Sequence, residues 1–282
     1  MSTRGILALM NREDAAAVAA VEAEISNIAK AVDLVIASFE AGGRLIYIGA
    51  GTSGRLGTLD AAECPPTFGV PRTRVQGIIA GGPKALRRSV EGAEDSRADG
   101  VAAIRKKRVG PKDTVFGITA CSLAPFVVAG LETACSLGAK TVFFCCSPTR
   151  KPAFADVLIN PLVGPEVLSG STRLKAGTAT KLTLNMLTTA SMVRMGKVYE
   201  NLMIDLKPWC YKLELRARRI IRVLTGASER RAEGLMLASG NDLKIALVMQ
   251  LRNVPRREAW RLLTEAHGNL RAVIESPESK RK

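Results

Sequence analysis

A chain of 282 residues, 47% hydrophobic and 24% charged, is long enough to bury a sizeable core as one large domain or two smaller ones. No apolar run approaches the ~20 residues that a membrane-spanning helix needs, and "MSTRGILALMNRED" lacks the long apolar stretch of a secretory signal, so a cytoplasmic protein is expected with no membrane partner. The net charge of +15 is spread over knots such as "RKKR" (105–108) and "RARRIIR" (216–222), while 4% aromatic content leaves little for base stacking, which points to anionic metabolites rather than nucleic acid.

In chain order, residues 13–41 carry Ala, Val and Ile at helical spacing and stop at Gly42-Gly43, which predicts one long helix. "RLIYIGA" (44–50) reads as a buried strand, and "RVQGIIA" (74–80) as another, followed by a helix from Pro83. "DTVFGITA" (113–120) leads into a helix ending near Leu137, and "AKTVFFCC" (139–146) and "DVLINPLV" (156–163) complete the strands. Strands that are apolar throughout and alternate with helices imply a parallel sheet covered on both faces, hence an α/β fold. A helical stretch runs from Thr172 to about Met203. A domain boundary is expected near 207, dividing the chain into 1–207 and a small helical domain, 208–282, with helix stops at Gly226, Gly240 and Gly268. The final "SPESKRK" is the one candidate for disorder.

None of the six cysteines forms a C-x-x-C pair, and the single histidine, His267, is distant in sequence. Metal ligands would cluster more tightly, so reduced, mostly buried thiols and no metal site are expected. His267 reads as a surface or packing residue, or as one that reaches a neighbouring subunit's site.

After the first strand, Gly49-Ala50-Gly51-Thr52-Ser53-Gly54 fits the G-x-G-x-x-G pattern of dinucleotide folds. Such a fold needs an acidic residue about 20 positions on, at the end of the second strand. That strand ends "GIIAGGPK" (77–84), with neither Asp nor Glu. Thr52 and Ser53 at the start of a helix instead suit a phosphate monoester, held by unpaired N–H groups, the helix dipole and hydroxyls. Ser53 could equally be a simple helix cap. Glu63 is placed at the end of the helix opened by this loop, stopped by Pro65-Pro66. Apolar neighbours and the negative helix end would favour its protonated form, as a general acid requires, although a lone buried glutamate can also be structural. "VEGAED" (90–95) is expected to close the next helical stretch, and its Glu94 would complete an acid–base couple if the fold brings it near Glu63.

"GGRLIYIGAGTSGRLGTLDAAECPPTFG", "GIIAGG", "VEGAED", "VGPEVLSGSTRLKAGTATKLTLNML" and "GKVYENLMIDL" together closely resemble the N-acetylmuramic acid 6-phosphate etherases, with the glucokinase regulatory protein as a more distant relative. The resemblance implies a sugar-isomerase-type (SIS) αβα sandwich that binds a phosphosugar, a small helical C-terminal domain, a homodimer and no cofactor. It implies that the D-lactyl ether is removed by elimination and water addition, with Glu63 as the acid on the departing oxygen and Glu94 as the base. It also implies substrate contacts from Gly51, Thr52, Ser53, Thr119, Ser122, Ser171, Thr172 and Lys175. One stretch departs from the family. Where the family reads like A-A-S-G-R-T-P-Y, this chain has "TACSLAPF" (119–126), so Cys121, Ser122, Leu123 and Ala124 replace serine, glycine, arginine and threonine. Losing these groups would weaken phosphate binding, since hydrogen bonds to charged groups are worth ~1.5–3 kcal/mol each. The family also commonly carries a further segment ahead of "MSTRGIL". The altered loop keeps a second reading open, a non-catalytic phosphosugar-binding regulator, whereas the two glutamates favour the enzyme.

Overall fold

A computed structural model describes residues 1–121 and 124–275. Ser122, Leu123 and the C-terminal "SPESKRK" therefore lie outside the described residues. By its internal contacts the chain divides into two compact units: Met1–Glu63 with Pro71–Ser191, and Cys64–Val70 with Met192–Lys282.

The first unit is built on five parallel strands, β1 (Leu45–Gly49), β2 (Val75–Ile79), β3 (Thr114–Thr119), β4 (Lys140–Cys145) and β5 (Val157–Ile159), in the order β2-β1-β3-β4-β5. Every residue of β1 and β3 is buried, because helices cover both faces. Alternate side chains serve alternate faces. Ile46, Ile48, Val115, Phe143 and Cys145 pack with Phe126, Val127 and Leu131 of α5 (Pro125–Ser136) and Ile104 of α4 (Arg97–Lys106). On the other face Tyr47 meets Phe116 edge-on at 5.8 Å, and Phe116 stacks on Phe144 at 6.3 Å. The helices α1 (Thr3–Glu22), α2 (Ile25–Glu40), α3 (Gly51–Phe68) and α6 (Lys175–Arg194) complete the unit, although α3 and α6 run on into the second unit at their C-terminal ends.

The second unit has a two-residue antiparallel hairpin, β6 (Val198–Tyr199) and β7 (Leu202–Met203). Five helices follow: α7 (Tyr211–Thr225), α8 (Glu229–Ser239), α9 (Leu243–Arg252), α10 (Arg256–Glu265) and α11 (Leu270–Ile274). Their apolar faces close over Ala217, Ile221, Leu235, Leu247, Ala259 and Leu263. The buried Lys244 Nζ joins loops of this unit, bonding Asp205 Oδ2 at 2.8 Å and the Gly268 carbonyl at 2.6 Å.

Six local expectations are corrected. The predicted helix over 13–41 is two helices, broken at residues 23–24, where the Glu24 N–H closes a tight turn on the Val21 carbonyl. The break re-aims α2 so that Ala31, Val32 and Val35 are buried, and no glycine or proline marks it. Pro83 opens only a short 3-10 turn, Gly82–Leu86. The "VEGAED" segment is a turn, and the following helix, α4, starts after Ser96, whose hydroxyl accepts the Asp99 N–H at 3.2 Å. Pro65-Pro66 do not stop α3. They deprive the helix of two N–H donors, yet it runs to Phe68, and the Gly69 N–H closes the last turn on the Pro65 carbonyl. Gly69 ends it with φ +64°, a left-handed conformation suited to glycine. The helix expected to reach Met203 stops at Arg194, before Gly196 and the hairpin. Finally, three cysteines are buried (Cys64, Cys145, Cys146) and three exposed (Cys121, Cys135, Cys210), so the thiols are not mostly buried.

Candidate active site

The sheet order creates one place where chains leave in opposite directions. From β1 the chain crosses to β2 on one side, while β3 pairs on the other, so a crevice opens beyond the carboxyl ends of β1 and β3. Ala50–Ser53 follow β1 and Thr119–Cys121 end β3. A cavity of about 330 Å³ lies there, lined by Gly51, Thr52, Ser53, Glu94, Thr119 and Thr172 among others. Six of the ten residues singled out from the sequence thus share one cavity, which is within the usual range of small-ligand sites.

The glycine pattern is explained by packing. A Cβ at Gly54 would fall 2.6 Å from Ile79 Cγ1 and 2.8 Å from the Gly49 carbonyl oxygen, so only glycine lets α3 rise this close to β1 and β2. The first turn of α3 then faces the cavity. Thr52 and Ser53 are its second and third residues, so Ser53 is not the helix cap. First-turn N–H groups and the positive helix end make this an anion-receptive surface.

Glu94 reaches the cavity from the turn before α4. Its backbone carbonyl accepts the Phe126 N–H at 3.0 Å, which ties the turn to the start of α5. A smaller adjoining cavity of about 160 Å³ is lined by Gly51, Arg55, Glu91 and Glu94. Arg55 was missed by the sequence reading. Its Nε donates to the Ala85 carbonyl at 2.9 Å, so the guanidinium links α3 to the 3-10 turn ahead of Glu94. The available signal was its place one turn beyond Gly51.

The other predicted residues lie elsewhere. Glu63 is solvent-exposed on α3, against the expectation of apolar neighbours, and does not line the cavity. Ser171 is half-buried in the turn before α6 and is also not part of the lining. Lys175 is buried, with Nζ 2.7 Å from Glu13 Oε2 of α1. That bond and the lysine charge hold the Glu13 carboxyl below its ordinary value. Glu166 accepts the Lys175 and Ala176 N–H groups at 2.9 and 3.1 Å, so a carboxylate already occupies the amino end of α6. Among the described residues no group of three His, Cys, Asp or Glu side chains is placed to hold a metal ion.

Behind the cavity, Asp60 of α3 is buried. Its carboxylate accepts the Tyr47 hydroxyl at 2.8 Å and Asn185 Nδ2 at 2.8 Å, with Thr188 Oγ1 at 3.2 Å. Burial pushes the Asp60 carboxyl above its ordinary value, opposed by these hydrogen bonds. No helix among the described residues is long and apolar enough to cross a membrane.

A five-stranded parallel sheet of this order, with a polar cavity at its switch point, defines a sugar-isomerase-type (SIS) α/β protein. The family model of the glucokinase regulatory protein N-terminal SIS domain matches residues 27–135. The fold is shared with an Escherichia coli CFT073 protein at TM-score 0.51 and 17% identity, over 71% of this chain and 97% of that one. The chain belongs to the N-acetylmuramic acid 6-phosphate etherase family. It is 48% identical to the protein of that name from Mesorhizobium japonicum, over 98% of this chain and 91% of the relative. Against the Serratia proteamaculans protein of the same name, identity is 49% over 97% of this chain and 93% of the relative.

Proposed function

We propose that this protein cleaves the D-lactyl ether of N-acetylmuramic acid 6-phosphate, giving N-acetylglucosamine 6-phosphate and D-lactate. The observation that carries the reading is the cavity lined by Glu94 together with Thr52, Ser53, Thr119 and Thr172. The phosphate sits against the amino end of α3, where first-turn N–H groups and hydroxyls compensate its charge. In the ring-opened sugar Glu94 takes the proton from the carbon next to the aldehyde. The electron pair forms a double bond to the neighbouring carbon and expels the lactate oxygen, which takes a proton from Glu63. Water then adds to that double bond. General acid–base assistance of this kind contributes ~10²–10⁴ in rate.

Glu63 takes part in a water-poor reaction only if its exposed position is covered. The exposed Leu59, one turn earlier on α3, favours cover by a second copy of this chain, so the working form is a homodimer in the cytoplasm. Ser171, ahead of α6, and Lys175, its first residue, are assigned to the substrate's edge, and Ser122 keeps the same assignment from the sequence alone. The catalytic domain is assigned to residues 1–207, with 208–282 as a helical accessory.

The decisive measurement is D-lactate release from N-acetylmuramic acid 6-phosphate by purified full-length protein, beside Glu94→Gln and Glu63→Ala. Turnover that disappears in both variants supports the assignment. No release at millimolar substrate from folded protein overturns it, and phosphosugar binding without turnover would then identify a regulator.

A further inference from the structure

The proposed reaction leaves the buried Asp60 carboxyl without a task. Asp60 is 7% exposed, and its hydrogen bonds run to two different elements, Tyr47 on β1 and Asn185 and Thr188 on α6. An apolar side chain would pack against this face at lower cost, because a buried carboxylate gives up hydration that its partners only partly replace. What an apolar residue cannot supply is direction. Two oxygens held by donors on two different elements fix the rotation of α3 about its own axis.

That rotation matters because of what α3 carries. At 1.5 Å rise per residue, Glu63 lies about 4.5 Å along the axis from Asp60, and Ser53 about 10 Å in the other direction. We propose that Asp60 is a positioning residue for the etherase reaction, clamping α3 to β1 and α6 so that Glu63 is aimed at the leaving oxygen. This rests on the function proposed above. The clamp is close to Glu63 and remote from the phosphate end, so its loss falls on kcat and spares KM. A misplacement of 1 Å at a reacting group can lower the rate about 10²-fold.

The experiment compares full-length wild type, Asp60→Ala, Asp60→Asn, Tyr47→Phe and Asn185→Ala for D-lactate release across substrate concentration, with urea unfolding of each. Asp60→Ala is expected to lose about 10²-fold in kcat, with KM within about threefold. Asp60→Asn, which keeps the shape and can accept from Asn185 while donating to Tyr47, should recover to within about tenfold of wild type. A folded Asp60→Ala with undiminished kcat, a loss confined to KM, or an Asn variant as impaired as Ala would overturn the clamp. If Asp60→Ala does not fold, Tyr47→Phe and Asn185→Ala decide: each removes one hydrogen bond to Asp60, and unchanged kcat in both overturns the proposal. A wild type that releases no D-lactate overturns the etherase reading and this proposal with it. A fully active Asp60→Ala beside an active wild type overturns this proposal alone.

Discussion

Thr52 and Ser53 show how much a single hydroxyl can do at a helix start. Each faces the cavity beside the first-turn N–H groups of α3. If Ser53 donates to the phosphate, Ser53→Ala removes one hydrogen bond to a charged group, worth ~1.5–3 kcal/mol. KM should then rise at least tenfold while kcat changes far less, as steady-state kinetics would show; an unchanged KM would place the phosphate elsewhere. Asp60 makes a different prediction, for stability. Its folded-state affinity for a proton is raised, so its contribution is full below the unfolded carboxyl value and is lost as pH rises through the folded one. Asp60→Asn should therefore be more stable than wild type at pH 7, with the gap narrowing as pH falls towards ~4. Urea midpoints across that range test it, and a gap that widens on acidification would contradict it.

At the scale of elements, the turn that presents Glu94 depends on the cap of the helix behind it. Ser96→Ala removes the hydroxyl that accepts the Asp99 N–H and should destabilise the chain by ~1 kcal/mol, read from the denaturant midpoint. Should Glu94 depend on that turn, catalytic loss would exceed what unfolding explains. The strands and their order of appearance were legible in the residues, because runs such as "RLIYIGA" are apolar throughout and closed by glycine. The breaks were less so. Pro65-Pro66 signal a stop by removing donors, yet the closing turn between Gly69 and Pro65 keeps the helix going. The break after Glu22 has no signal at all in residue type, since it serves the packing of α2 on the sheet. The shared cavity of Thr52, Glu94, Thr119 and Thr172 could not be read from spacing, because these residues meet only through strand order. Nor could the exposure of Glu63, since an amphipathic pattern does not say which flank of a helix the rest of the molecule leaves uncovered.

For the whole molecule, the acid role proposed for the exposed Glu63 calls for cover, which the proposed homodimer would supply. Sedimentation should give twice the chain mass, and Leu59→Lys, which puts a charge on the exposed α3 face, should shift the protein to monomer with loss of lactate release. A monomeric, fully active wild type would contradict this. The division of α3 between the two units has a consequence for how the protein comes to be made. Cys64–Val70 leave the ribosome early, but the rest of the unit they belong to begins at Met192. At ~5–20 residues per second, Phe68 and Val70, both buried in the finished protein, wait several seconds for their partners. The nascent chain therefore carries an apolar segment in need of protection, and a chain released after residue 191 would keep it bare for good, so truncated products should be recovered bound to chaperones or in aggregates.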